Sequence, residues 1–500
     1  MLLQLALGRL VFPQIGLLYA AYLIWAGLLL ILGRHLAEGI GLARLAGVLA
    51  WGFALGALAG SVIALIQWRG AGAGAWWIAP GGVYANLGQI NHHAHYSWLG
   101  IVSLFYLRGR GWLSRPLFWL ALLPIVMGSV LGGSRAVVLY PLILVVSILW
   151  ARRRAPQGPT AGLLADAMLL LPAVVVLSML GFWAAPAGPG SGVTSVSRLY
   201  QAVEGSSVRM ALAGTAWTVF LEHPWLGVGA GNYPWASFLA AAGREGGEPF
   251  MVAENAHNFI LQCLAEFGTP TTVLVILLLV FWARRFVVRP WGLEELWCGA
   301  VLGIVATHAL LEYPLWYAYF LGPAALLLGA TGSGGAILLS GRRAALYVAL
   351  VALAGLSILT SLRMDYTVIE AAAVEALDAG PARERNWKTT MEPLKVLHRE
   401  SLLSPWVLLA FAGPAEPSRQ QLELRVTLCE RVIRFQPARS LLTRCAMQLA
   451  IAGRDADAQK LVRSVLRAFP SEQAATADEL AKGAREYPEL VPLWQLSLGK

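Results

Sequence analysis

The sequence predicts an all-α protein: a polytopic bundle of about ten membrane-spanning helices, a large outward loop, and a helical-repeat domain at the C-terminus. Three observations carry that prediction. The 500 residues are 57% hydrophobic and only 13% charged, whereas soluble globular domains carry roughly 25% charged residues. The apolar residues gather in runs near the ~20 residues that a helix needs to cross a bilayer. After residue 363 charge density rises, and heptad-like helical periodicity replaces the long runs.

In chain order the runs are 10–32, 45–67, 96–107, 117–132, 136–150, 163–183, 270–283, 295–311, 317–331 and 344–362. Tryptophans such as Trp77, Trp112, Trp150, Trp282 and Trp316 fall near their ends, where amphipathic rings favour an interface. The net charge of +10 could suggest a nucleic-acid partner, but its distribution excludes that reading. Arginines recur in loops on alternate sides of the runs: Arg34 and Arg44, Arg108 to Arg115, Arg152 to Arg154, Arg284 to Arg289, and Arg342 with Arg343. This is the positive-inside pattern, so these loops are expected to be cytoplasmic. The loops 68–95, 133–135, 184–269 and 312–316, and everything after Arg363, then face outward. The N-terminus is also placed outside, with no signal peptide of the basic–apolar–small form. That start is expected if helices upstream of this stretch are missing, or if one span is miscounted.

Residues 1–363 thus form a membrane domain whose longest outer loop is 184–269, and residues 364–500 form an outward helical domain. The loop opens on PAGPGSGVTSVS, an irregular stretch. It continues with an apolar-faced helix to about Glu222 and a Pro/Gly turn. In the tail, Phe435 and Phe469 stand 34 residues apart, and Pro437 and Pro470 stand 33 apart. Between them lies a helix–turn–helix unit with its turn at AGRDAD, which is similar to a tetratricopeptide-type repeat. A small helical bundle is the simpler alternative. The four cysteines fit no metal or disulfide framework. Cys263 and Cys298 read as small hydrophobes, and Cys429 and Cys445 pair only if neighbouring helices bring them together.

Polar groups near membrane spans mark functional sites by default, and four outward clusters qualify. In GQINHHAHYSWLG, Gln89 and Asn91 cap a helix and can hydrogen-bond a ligand. His92, His93 and His95 do not share a helix face and have no acid or thiol beside them, so no metal site is expected. In GGSRAVVLYP, Arg135 breaks the charge rule. It either snorkels at the interface or clamps an anion bidentately. Arg209 opens the apolar-faced helix of Met210, Leu212, Trp217 and Phe220, which is expected to lie along the membrane surface; by itself an arginine there reads equally as a solvent-exposed, inert side chain. The run GVGAGN after it lacks a phosphate-loop lysine and strand, so its glycines shape a tight turn. The fourth cluster joins ENAHNFILQCLAEFG to THALLEYPLWYAYFLG, with His308, Glu312, Tyr313 and Tyr317. Here Asn255 is expected to cap a helix over 256–267. That would set His257 in its first turn, either as a packing residue or poised to accept a proton.

Together these stretches resemble the bacterial pilin-type protein O-oligosaccharyltransferases, within the O-antigen ligase and O-antigen polymerase superfamily. GQINHHAHYSWLGI is similar to the signature GNLGQPNH, with Ile90 standing where the family has proline. HPWLGVGAGNYPW and ENAHNFILQCLAEFG resemble the outer-loop motif pair of the superfamily, and HALLEYPLWYAYFLGPAALLLG resembles a segment of the oligosaccharyltransferase branch. The resemblance covers about residues 8–330 firmly and the tail loosely. It implies a bacterial inner-membrane enzyme with a periplasmic site and tail, and no metal or nucleotide cofactor. The donor would be a glycan on undecaprenyl pyrophosphate, and the acceptor a hydroxyl of a pilin-like protein. O-antigen ligase (acceptor lipid A-core) and polymerase remain alternatives, as does a non-catalytic scaffold. By resemblance His257 is the base, while Arg135 and Arg209 stabilise the leaving pyrophosphate. Gln89, Asn91, His92, Asn258, Glu312 and Tyr313 would position substrates.

Overall fold

The computed structural model describes residues 2–71, 75, 77–79, 82–155, 160–184, 194–195, 202–243, 251–332, 341–377, 394–412 and 416–499. Among these there is no strand. All ten apolar runs are helical, and among the described residues five helical stretches are by themselves long and apolar enough to cross a membrane. Most of the PAGPGSGVTSVS stretch lies outside the described residues. The chain divides into two compact units.

One unit comprises Ala26–Ser206 and Leu277–Ala344. Its helices are the second half of α2 (Pro13–Leu36), α3 (Leu42–Trp68), α4 (Ile90–Gly109), α5 (Arg115–Leu131), α6 (Tyr140–Arg154), α7 (Thr160–Met168) and α8 (Leu170–Trp183). After the second half of a later helix come α12 (Leu293–Ala309) and α13 (Ala318–Ala330). Apolar spans gain nothing from leaving lipid for one another, so close packing depends on small residues. The sequence supplies them at the crossings. A Cβ on Gly33 would land on the Leu326 carbonyl and one on Gly329 on the Leu30 carbonyl, while Gly100 faces Ala57. Trp98, Phe105, Phe118, Tyr140, Trp297 and Phe320 fill the core. Leucines and valines such as Leu55, Leu120 and Val146 are exposed outward, as lipid-facing side chains are. Asp166, buried, is held by Arg115 at 2.9 Å and Arg108 at 3.5 Å. It is a tie between basic ends of helices.

The other unit comprises Met1–Trp25, Ser207–Ile276 and Ala345–Lys500. The loop helices α9 (Ala202–Glu222) and α10 (Tyr233–Gly243) precede α11 (Phe259–Val287). The next helix, α14 (Gly341–Leu377), runs unbroken past residue 363. The tail continues through α15 (Ser404–Ala412), α16 (Leu422–Phe435), α17 (Arg439–Ile451), α18 (Asp455–Ala468), α19 (Gln473–Glu486) and α20 (Val491–Ser497). The helix–turn–helix expected at AGRDAD is present, α17 ending at Ile451 and α18 starting at Asp455. Phe238, Ala241 and Ala242 of the loop helix α10 share one core with Leu442, Val462 and Leu480 of the tail. The loop that carries α10 and the tail therefore fold together. Cys429 on α16 and Cys445 on α17 form a disulfide, the pairing that spacing alone left open.

Candidate functional site

In the second of these units, ENAHNFILQCLAEFG folds one turn later than its pattern suggests. The helix begins at Phe259, and its N-cap is Asn258, whose Oδ1 accepts the Ile260 and Leu261 amides at 3.0 and 3.1 Å. Asn255 does not cap it. His257 stands before the helix in the left-handed region, with φ +49°. The expectation of a first-turn histidine beside Asn255 is thereby corrected. Asn258 wins because its short amide reaches the second and third N–H groups that follow it, as an N-cap must. A left-handed L-residue costs roughly 1–2 kcal/mol, so something must hold it. The buried Ala256 amide, one residue earlier, donates to Gln262 Oε1 at 2.7 Å.

Gln262 and Glu266 stand one helical turn apart, both almost fully buried. Glu266 Oε1 accepts the Gly231 amide at 3.1 Å. The helix then stops at Gly268, whose φ of +74° and ψ of −179° break it before the apolar run begins. Its last carbonyls would be orphaned there. The glycine turn caps them instead: Val228 N–H donates to the Ala265 carbonyl at 2.9 Å, Gly229 N–H to that of Glu266 at 3.1 Å. Gln4 Nε2 adds a bond of 2.8 Å to the Glu266 carbonyl. Contact is backbone on backbone, so a Cβ on Gly227 would land on Glu266 and one on Gly268 on Trp225. GVGAGN is thus a tight turn as expected, and the amides of Val228, Gly229 and Gly231 are already engaged by the helix end.

Arg209 is half-buried on α9, two turns before Ala216 and on the same helix face. Ala216 packs with Ala256 and Ala265 in one small core, and Thr215 Oγ1 accepts the Met251 amide at 3.2 Å. The segment leading into His257 is thereby tied to the helix that carries Arg209. Met210, Trp217 and Leu221 are exposed, leaving the apolar face expected of an interfacial helix, although Leu212 is buried.

The first unit carries the other cluster. Gln89 occupies the N-cap position of α4, but its side chain makes no cap bond. Asn91 does not cap either: its Nδ2 donates to the buried Glu312 at 2.7 Å. Both depart from the expected capping roles; for Asn91 the reason is the Glu312 carboxylate, just beyond the end of α12, which takes its amide. His92 is buried with Nδ1 3.2 Å from Tyr319 Oη, its ring edge-on to Tyr317 at 4.3 Å and 6.0 Å from that of Tyr313. His95 stacks on Phe320 at 4.0 Å, and Tyr140 Oη meets His308 Nδ1 at 2.8 Å. Among the described residues no group of three or more His, Cys, Asp or Glu is arranged to hold a metal ion. Arg135 is half-buried in a short 3-10 turn, Arg135–Val138. Among the described residues it has no hydrogen-bond or ion-pair partner, unlike Arg108, Arg110 and Arg115. Such an arginine suits an anion.

The family model described as "O-Antigen ligase" matches residues 118–276, and the one described as "Virulence factor membrane-bound polymerase, C-terminal" matches 296–482. Both matched stretches place the chain's resemblance with the O-antigen ligase superfamily. Arg135, Arg209 and His257 all fall inside the O-antigen ligase match. A relative described as "General O-oligosaccharyltransferase", from Acinetobacter baylyi (strain ATCC 33305 / BD413 / ADP1), is 26% identical over 347 residues. That stretch is 66% of this chain and 58% of the relative, so the chain spans a little over half of that protein's length. No solved structure matches. With its apolar helices and its match to a membrane-bound ligase family, the protein is a multi-pass membrane protein.

Pattern reading missed Gln262 and Glu266. A signal was present: two polar residues four apart on an otherwise apolar helix, facing one side.

Proposed function

We propose that the protein transfers a glycan en bloc from undecaprenyl pyrophosphate to a hydroxyl of a pilin-like acceptor protein, on the periplasmic side of the bacterial inner membrane. The observation that carries this reading is His257, fixed in a left-handed turn by a buried amide–glutamine bond, within the O-antigen ligase match. A strained histidine at the head of a loop helix is characteristic of a functional position. In the proposed step the acceptor hydroxyl gives its proton to the His257 imidazole, and its oxygen bonds to the anomeric carbon. The bond from that carbon to pyrophosphate breaks, and its electron pair stays on the departing phosphate oxygen. Arg135 and Arg209 are proposed to stabilise that charge, because guanidinium pairs bidentately with phosphate. Gln89, Asn91, His92, Asn258, Glu312 and Tyr313 are proposed to position donor and acceptor. Gln262 and Glu266 join them as positioning residues for the His257 turn. The chemistry needs no cofactor.

The outward placement of the tail is supported by Cys429–Cys445, since structural disulfides persist in oxidising compartments. The helical hairpins of the tail support a tetratricopeptide-type reading, α17 starting at Arg439 and α19 at Gln473, 34 residues later. Two relatives of the reaction use the same donor. The O-antigen ligase match favours lipid A-core as acceptor, and the polymerase match favours a second lipid-linked glycan. The test offers purified protein one lipid-linked glycan with a pilin, with lipid A-core, or alone. Transfer to the pilin alone supports the proposal. Transfer to either other acceptor replaces it with that branch, and full activity of both His257→Ala and Arg135→Ala refutes the residue roles.

A further inference from the structure

We infer that Glu266 works as a neutral carboxylic acid, positioning the His257 turn while it holds its proton and releasing that turn when the proton leaves; this rests on the reading of His257 above. Glu266 stands two residues before the break at Gly268 and ahead of the apolar run 270–283, so it lies in the outer loop. That is the last turn of the outer half of α11, where the helix dipole presents its negative end and disfavours an anion.

The surroundings compensate a charge poorly. Glu266 is 1% exposed. Its Oε1 accepts the Gly231 amide, whereas Oε2 is buried with no hydrogen-bond partner among the described residues. A buried carboxylate needs a cation or several donors, and no ion pair reaches this one among the described residues. The titratable and charged groups of the elements packed nearest to it are the Tyr233 phenol on α10, the Cys263 thiol on α11 and Arg9 of the N-terminal segment. Burial pushes the phenol and the thiol up, so both stay neutral. The Arg9 guanidinium is exposed and turned to the Gly227 carbonyl at 3.4 Å. Glu222 and His223 where α9 ends, and Glu254 in the segment before His257, are exposed. Arg209 and His257 are half-buried, further along α9 and before the first turn of α11. Burial accordingly pushes the Glu266 carboxyl up to about 8, against the smaller pull of the Gly231 amide.

The proton matters because of what stands one turn earlier. Gln262 holds the buried Ala256 amide through Oε1, while its Nε2 is buried with no partner among the described residues. Tyr233 Oη is in the same state. A neutral acid has an O–H of its own to give and needs no second donor, so the Gln262 amide stays with Ala256. An anion draws the nearest unpartnered N–H, and a glutamine four residues before a carboxylate on a helix is placed to supply it. In its present pose Nε2 makes no such bond, so an anion that recruits it shifts the amide that holds Ala256. The left-handed turn at His257, φ +49°, then loses its anchor. The contribution of Glu266 to folding is complete below the ordinary carboxylate value and is lost as pH rises through about 8.

The test uses the full chain in nanodiscs. Difference infrared spectroscopy of the wild type against Glu266→Gln should show a protonated-carboxyl band at neutral pH that the variant lacks, fading as pH passes about 8. Single-turnover transfer by the wild type should fall about tenfold per pH unit beyond that point. Glu266→Leu leaves the Gly231 amide without its acceptor and should lose about tenfold at every pH. Glu266→Gln, which copies the neutral acid in shape and keeps an acceptor for that amide, should rescue transfer at neutral pH and abolish the alkaline fall. Absence of the band, a Glu266→Gln variant that is inactive at neutral pH, or one that keeps the alkaline fall would overturn the inference. The band is read without donor or acceptor. A protein that shows it yet moves no glycan defeats the enzymatic reading alone, and one that transfers glycan with an alkaline fall untouched by Glu266→Gln defeats this inference alone.

Discussion

Replacing Gln262 by leucine should cost activity without removing any group that touches a reacting atom. Gln262 Oε1 accepts the Ala256 amide at 2.7 Å, and Ala256 is 3% exposed, so water does not replace the lost acceptor. A buried donor left unsatisfied costs about 1–3 kcal/mol. Next to it His257 sits at φ +49°, a conformation roughly 1–2 kcal/mol above its alternatives. Without the bond, the turn relaxes and the competent orientation of His257 becomes a minority. A difference of 1–3 kcal/mol corresponds to roughly 5–150-fold in population. We therefore expect kcat for glycan transfer to fall about 5–150-fold, with KM for the lipid-linked donor near that of the wild type. The assay is single-turnover transfer with purified protein in nanodiscs. A double-mutant cycle separates positioning from general damage, because interacting residues are non-additive. Gln262→Leu should add nothing to the loss already caused by His257→Ala. Activity within twofold of wild type, or fully additive losses, would refute the reasoning.

Other consequences are open to measurement. His257→Ala and Arg135→Ala should each abolish transfer, by about 100-fold or more, while the protein still fractionates with membranes. Gly268→Ala should lower the melting temperature, since alanine is strained by roughly 1–3 kcal/mol at that backbone and its Cβ would strike the Trp225 carbonyl. Gly243→Ala, with open space around it, is the matched control and should melt like the wild type. Reduction of Cys429–Cys445, or Cys429→Ser, should destabilise the tail by about 3 kcal/mol on a chain-entropy estimate for so short a loop, read as a lower melting temperature in dithiothreitol. Asn91→Leu leaves the buried Glu312 carboxylate without its amide and should destabilise by about 1–3 kcal/mol. Glu312→Gln, which restores a neutral amide pair with Asn91, should cost less in the same melt.

Much of the architecture was legible because it depends on composition over long windows. Every apolar run became a helix, and the AGRDAD turn fell where helical periodicity lapses. The reading of ENAHNFILQ failed by one turn, since two asparagines three residues apart offer equal capping chemistry to a local pattern. Which one caps depends on Gln262 drawing the Ala256 amide aside and leaving Asn258 to meet the helix. Likewise Asn91 looked like a cap because its partner, Glu312, is 221 residues away.

By itself the sequence determined that this chain is helical and membrane-embedded, because hydropathy is additive along the chain, whereas the roles of Arg135, Arg209 and His257 were suggested by its resemblance to a family and stay proposals. Only the tertiary structure decided which amide holds His257, that the glycine turn caps a helix rather than a phosphate, and that Cys429 meets Cys445. Those outcomes rest on partners far apart in sequence, and a hydrogen bond depends on where both groups are in space.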